Sequence, residues 1–233
     1  MKAILSILLL AFSLSSCMIG VSGNGEVKEV ERQITAFNEI EASGMLEIIL
    51  MHGEPGLRVV ADENLHELIE TVVKNDRLMI RTTKNIKQYK KLEIYISSAE
   101  FEEIEVSGAV SIRSEGILRG DDMELESSGA ADVKMSLDYD DLSCELSGAS
   151  EIELKGSART VSVRSSGASN LKLFDLEVRS MRLNLSGATE ARINVSHELS
   201  VEASGASEIR YKGSPKITKT ELSGASSINP ETN

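Results

Sequence analysis

Tryptophan is absent from this chain of 233 residues, and aromatic side chains make up only 3% of it. A globular core built on large aromatic anchors is therefore excluded. The interior has to be assembled from Val, Ile, Leu, Met and Ala, a palette that suits thin stacked layers. Cysteine is scarce too: Cys17 and Cys144 are the whole supply. Histidine occurs at 52, 66 and 197 only. These three are spread without metal-ligand spacing, so they read as surface residues rather than ligands. Basic charge is in deficit, with a formal net charge of −12. That argues against nucleic acid or an anionic lipid surface as a partner and favours solubility. No motif points to a cofactor.

The chain also lacks an apolar run long enough to span a bilayer as a helix. The run from Ala3 to Leu14 is short, follows Lys2, and stops at Leu14-Ser15-Ser16-Cys17. This is the pattern of a lipoprotein signal peptide over 1–16, with Cys17 as the lipidated new N-terminus. An ordinary secretory signal with an incidental thiol is the alternative. Lipidation of Cys17 leaves Cys144 alone, so no intrachain disulfide is available and stability must come from packing and backbone ladders. Residues 17–32 are rich in Ser, Gly and Glu and read as a tether with little capacity to form a core.

What is present in abundance is a repeat. Ser-Gly-Ala recurs with its glycine at Gly108, Gly129, Gly148, Gly167, Gly187, Gly205 and Gly224, and a relative, Ser43-Gly44-Met45, lies upstream. The spacings are 21, 19, 19, 20, 18 and 19. Aligned on the glycine, positions four before it (Ile104, Leu125, Cys144, Val163, Leu183, Val201) and four after it (Ile112, Val133, Ile152, Leu171, Ala191, Ile209) are apolar. Positions six away on either side are mostly apolar as well, and the odd offsets are polar. This is period-two alternation around a turn, so each copy is two short strands. The same residue types at the same offset predict stacking in parallel register rather than hairpins. The expected fold is all-β, a single-stranded right-handed parallel β-helix of roughly 19-residue coils. The solenoid is assigned to 33–233, with regular coils over 102–229 and an irregular β-rich N-terminal part over 33–101. In that part Asn75-Asp76 reads as a hairpin turn, and Asn64 to Glu70 as one helical turn. The repeated serines are expected to form a hydroxyl ladder at the corner. Each glycine is expected to supply an unusual backbone conformation or a close backbone approach.

Candidate chemistry is sparse. Three residues after each glycine runs a polar column, Ser111, Asp132, Glu151, Asn170, Glu190, Glu208 and Ser227. Asp132, Glu151, Asn170, Glu190 and Glu208 within it are a candidate face for a ligand or a cation, since hard cations need several oxygens. A solvated edge softened by Lys172, Arg192 and Arg210 is the plainer reading. Parallel β-helices also carry polysaccharide-acting, pectinase-like enzymes, which need clustered carboxylates and bases. Only Asp138, Asp140, Asp141 and scattered Arg159, Arg164 and Arg182 are on offer, so no catalytic residue is assigned. Cys144 falls in an inward column and is expected to be buried and inert.

Gly23-Asn24-Gly25, Arg32 leading to Phe37-Asn38-Glu39-Ile40, Leu78-Met79-Ile80, Leu92-Glu93-Ile94-Tyr95-Ile96, the Ser-Gly-Ala repeats and a closing Ile228-Asn229 together resemble the head GIN domain family. Its members are named as putative auto-transporter adhesins among exported lipoproteins of the Bacteroidota. The resemblance implies a non-catalytic adhesion or ligand-binding module, anchored in the outer membrane through Cys17 and meeting a glycan or protein ligand. A purely structural envelope role is the remaining alternative.

Overall fold

In one coil, Ala131, Val133, Met135, Leu137 and Tyr139 point inward and are buried, while the residues between them face solvent. The alternation breaks at Asp140-Asp141, where two successive residues turn outward, and resumes with Leu142, Cys144 and Leu146 inside. That break is the second corner, and it lets both strands of the coil present their apolar sides to one interior. Each buried aliphatic side chain contributes on the order of 2 kcal/mol by leaving water. The inward columns extend beyond those legible in the sequence, taking in the positions two before and two after each corner glycine from Gly44 to Gly205.

The computed structural model describes residues 20–231. The expected signal peptide and Cys17 lie outside them. The N-terminal part holds β1 (Val21–Ser22), β2 (Val27–Glu31), β3 (Glu39–His52), β4 (Gly56–Asp62), β5 (Ile69–Lys74), β6 (Arg77–Thr82), β7 (Ile86–Gln88) and β8 (Leu92–Ser98), with a 3-10 helix over Glu63–Leu68. The regular part follows as β9 (Glu103–Ser127), β10 (Ala130–Leu146), β11 (Ala149–Ser165), β12 (Ala168–Gly205), β13 (Glu208–Lys212), β14 (Lys216–Leu222) and β15 (Ser227–Pro230). These stack in parallel into a β-solenoid of about 6 turns, about 19 residues apart.

The register is that of the repeat. Gly44 pairs with Gly108, Ala109 with Ala130, Ala130 with Ala149 and Ala149 with Ala168. Ser43-Gly44-Met45 is therefore a true coil corner. Close approach is what every stacked corner shares: a Cβ placed on Gly148 would lie 1.9 Å from the carbonyl oxygen of Gly129, and one on Gly167 1.9 Å from that of Gly148. Positive φ is needed at fewer of them, Gly205 at +89° among them.

The repeated serines stack but do not bond to one another as a hydroxyl ladder. They face outward, and Ser147 Oγ and Ser186 Oγ donate instead to the backbone oxygens of Ser127 and Ser165, each at 3.4 Å. The hydroxyl column lies inside, two residues to either side of the glycines. Ser127 and Ser150 meet at 3.3 Å, and Ser165 reaches Ser169 at 3.0 Å and Thr189 at 3.4 Å, all buried. Pairing the hydroxyls with each other offsets the cost of burying them.

The N-terminal end is closed by strands of the other sense. β3 is covered by β6 and β8 in parallel, and the antiparallel pairs β5–β6, β4–β8 and β2–β4 extend the cover. The β5–β6 hairpin turns at Asn75 (φ 52°) and Asp76 (φ 62°), the two positive values that a tight two-residue turn requires. The expected tether is corrected here. β2 pairs with β4 from Val27–Asp62 to Glu31–Arg58, and β1 pairs with β7. Arg32 donates to the backbone oxygens of Ile69 (2.6 Å) and His66 (3.0 Å), so the segment is docked rather than free. Its anchor is Asp62, fully buried, which accepts from the backbone N–H groups of Gly25 (2.9 Å), Lys90 (3.2 Å) and Lys91 (3.1 Å). Burial alone would raise the Asp62 carboxyl, but those N–H groups outweigh it and hold it below its ordinary value. A Cβ on Gly23 would meet Asp62 Oδ2 at 2.0 Å, which explains that glycine. Local Ser, Gly and Glu content concealed this because its partners are 25 or more residues away.

Candidate ligand groove

Parallel stacking converts single residues into lines. Ala109, Ala130, Ala149, Ala168 and Ala188 form an exposed stripe beside the corner and make the floor of a shallow groove of about 730 Å³. Strand spacing gives the stripe a length of about 20 Å. One wall is the polar column: Ser111 pairs with Asp132, Asp132 with Glu151, Glu151 with Asn170, and Glu190 with Glu208. At the N-terminal end of the groove stand Met45 and Tyr89, 46% and 40% exposed, with Glu47 beside them. Met45 stands in the alanine column, in register with Ala109, whereas Tyr89 lies in no repeating column and only the N-terminal part brings it to the groove.

The predicted site residues thus share a line, and Glu208 continues it one coil beyond the groove's lining. The acidic ones are not bare. Lys134 stands 3.0 Å from Asp132, Lys172 2.5 Å from Glu151, Arg192 2.8 Å from Glu190 and Arg210 2.8 Å from Glu208. Lys134, Arg192 and Arg210 sit two residues on from their partners, and Lys172 reaches Glu151 from the next coil. The acidic column is thus flanked by a mainly basic one, interrupted at Glu153, and like charges on neighbouring rungs are screened from each other. The hydrogen bond from Lys172 and its charge lower the Glu151 carboxyl, and the bond to Asp132 raises Lys134. Exposed pairs of this kind add little to stability. Their consequence is a groove wall that offers carboxylate oxygens as hydrogen-bond acceptors without a strong net field.

The other candidates fall elsewhere. Asp138, Asp140 and Asp141 lie at the second corner, where Asp138 accepts from Ser157 (2.6 Å), and Arg159 pairs with Asp141 and lies 3.8 Å from Asp140. They form a solvent-facing cluster of one hydrogen bond and two contacts to Arg159. Arg164 pairs with Glu145 at 2.7 Å across the corner from the groove. Cys144 is buried, and burial pushes its thiol up to about 12, so it is inert at neutral pH. His52 and His197 are exposed, and His66 Nε2 contacts the backbone oxygen of Lys28 at 3.1 Å. Among the described residues no group of three or more His, Cys, Asp or Glu is placed to hold a metal ion.

A parallel solenoid with a repeating surface groove is the class of protein these features define. Residues 36–215 match the family described as putative auto-transporter adhesin, head GIN domain, and the chain belongs to it. Its fold is shared with a putative adhesin from Bacteroides fragilis (25% identity, TM-score 0.83, covering 91% of this chain and 100% of that one). It is also shared with a putative lipid binding protein from Parabacteroides distasonis (26% identity, TM-score 0.73, 91% and 99% covered). A putative adhesin from Parabacteroides merdae matches at 20% identity and TM-score 0.70, with the same coverage as the second. A search of the curated proteins finds no match.

Proposed function

We propose that this protein is a lipid-anchored module of the cell envelope that holds an extended ligand along the alanine-floored groove without converting it. The observation that carries the reading is the repetition of floor and wall at every coil, which suits a partner with repeating chemistry, a glycan or an extended protein segment. At the second corner Asp140 and Asp141 are already engaged by Arg159 and Asp138 by the Ser157 hydroxyl, which supports binding over turnover. The adhesin names carried by its relatives support an extracellular or envelope location, and the Leu14-Ser15-Ser16-Cys17 pattern supports an outer-membrane anchor with Cys17 as the lipid site.

A glycan array run beside reducing-sugar assays on the same polymers tests the reading. Binding without product is the expected outcome, and product release would sink it. Ala149→Trp, which fills the middle of the groove from an exposed position, should weaken binding at least about tenfold, some 1.4 kcal/mol, with the melting temperature unchanged. Vesicles of neutral lipid belong among the probes, given the name of the Parabacteroides distasonis neighbour. Cys17→Ala should release the protein from the membrane fraction; retention of that variant counts against the anchor.

A further inference from the structure

The two ends of the solenoid are finished differently. Antiparallel strands close the N-terminal end, whereas β14 pairs only with β12 and β15 only with β13 among the described residues. Register shows that the C-terminal end is one layer short. Ile217 stacks on Leu199 and Leu222 on Ala203, residues 0% and 5% exposed, yet Ile217 and Leu222 are 42% and 38% exposed. Ile228 stacks on the buried Ile209 and is itself only partly covered. The hydroxyls of Ser207 and Ser226, the last two of the inner column, have no hydrogen-bond partner.

The free edge also has a defined sense. Ser223, Ser227 and Glu231 donate their N–H groups to Ala203, Ser207 and Tyr211 in the coil below, at 2.9, 2.8 and 2.8 Å. Strand alternation then directs the backbone groups of Thr220, Leu222, Ile228 and Pro230 away from the molecule. Open edges of this kind pair with another strand unless something covers them.

We propose that a second copy of this chain caps this end about a two-fold axis, β14 of each copy pairing antiparallel with β15 of the other. One register satisfies every constraint. It sets Leu222 opposite the second copy's Ile228, both apolar and both turned to the interior, with outward-directed backbone groups on each. It sets Thr220 opposite Pro230 and Glu221 opposite Asn229. It brings Lys219, which already lies 2.7 Å from Glu202 and 3.2 Å from Glu221, opposite a further carboxylate, Glu231. Pro230 has no N–H to offer, so the pairing is modest in strength. Two-fold closure occupies both free strands of each copy and leaves no edge on which a fibre grows.

Cross-linking tests the register directly. The full chain carrying Leu222→Cys, mixed with the full chain carrying Ile228→Cys under mild oxidation, should give a covalent dimer that neither variant forms alone. Buried Cys144 supplies no background, and Cys17→Ala in both variants removes the other thiol. Thr220→Pro removes an outward donor while leaving the bonds from Glu221 and Ser223 to the coil below. It should weaken association at least about tenfold by sedimentation, some 1.4 kcal/mol, without lowering the melting temperature of the monomer. A mixture that stays monomeric at high concentration, a cross-link in either variant alone, or a dimer indifferent to Thr220→Pro overturns the proposal.

Discussion

Gly148 shows how little room a single residue has in this architecture. Its α-carbon lies over the Gly129 carbonyl, and a methyl group there would stand 1.9 Å from that oxygen. Gly148→Ala must therefore push two coils apart, and a loss of about 2–4 kcal/mol is expected, read as a lower melting temperature and denaturant midpoint. Ala149, one residue on and exposed, should accept Ala149→Ser with a change below about 0.5 kcal/mol. Asp62 sets the acid response. Its folded carboxyl titrates below its ordinary value, so its contribution is full above that ordinary value and is lost as pH falls through the folded one. Thermal melts from neutral to strongly acidic pH should show Asp62→Asn less stable than wild type at neutral pH, with the gap closing on acidification.

At the scale of elements, the N-terminal strand β2 is the informative case. All five of its residues are exposed, so it adds little apolar burial, yet it covers the outer edge of β4. Deleting residues 20–31 should cost less than Gly148→Ala in thermal stability. It should nonetheless raise the aggregation rate, measured by light scattering, because β4 would then present Val59 and Val60 on an open edge. The Ser-Gly-Ala columns were readable because stacking repeats the same demand in every coil. The docking of Gly23-Asn24-Gly25 was not, since Asp62, Lys90 and Lys91 form its socket and share no local pattern with it. The groove was half readable: the polar column could be aligned and Met45 stands in the alanine column, but Tyr89 comes from a part that the repeat does not cover.

The whole molecule is a stack in which each layer depends on its neighbours, so stability is expected to be graded along the axis. Amide exchange should be slowest in β10, β11 and the first half of β12, and fastest in β14 at concentrations where the chain is monomeric. Fast exchange in the central coils would contradict this. The period of the repeat and the alternation within it were enough to determine, from sequence alone, that the chain forms parallel coils with aliphatic columns inside and its glycines at one corner. Those are local demands repeated at a fixed interval, and a repeat makes local demands visible. Only the tertiary structure decided which end is closed, that Tyr89 stands at the end of the groove, and that the expected tether is part of the fold. Each of these depends on residues far apart in the chain meeting once, without repetition, and nothing in the order of residues marks such a meeting.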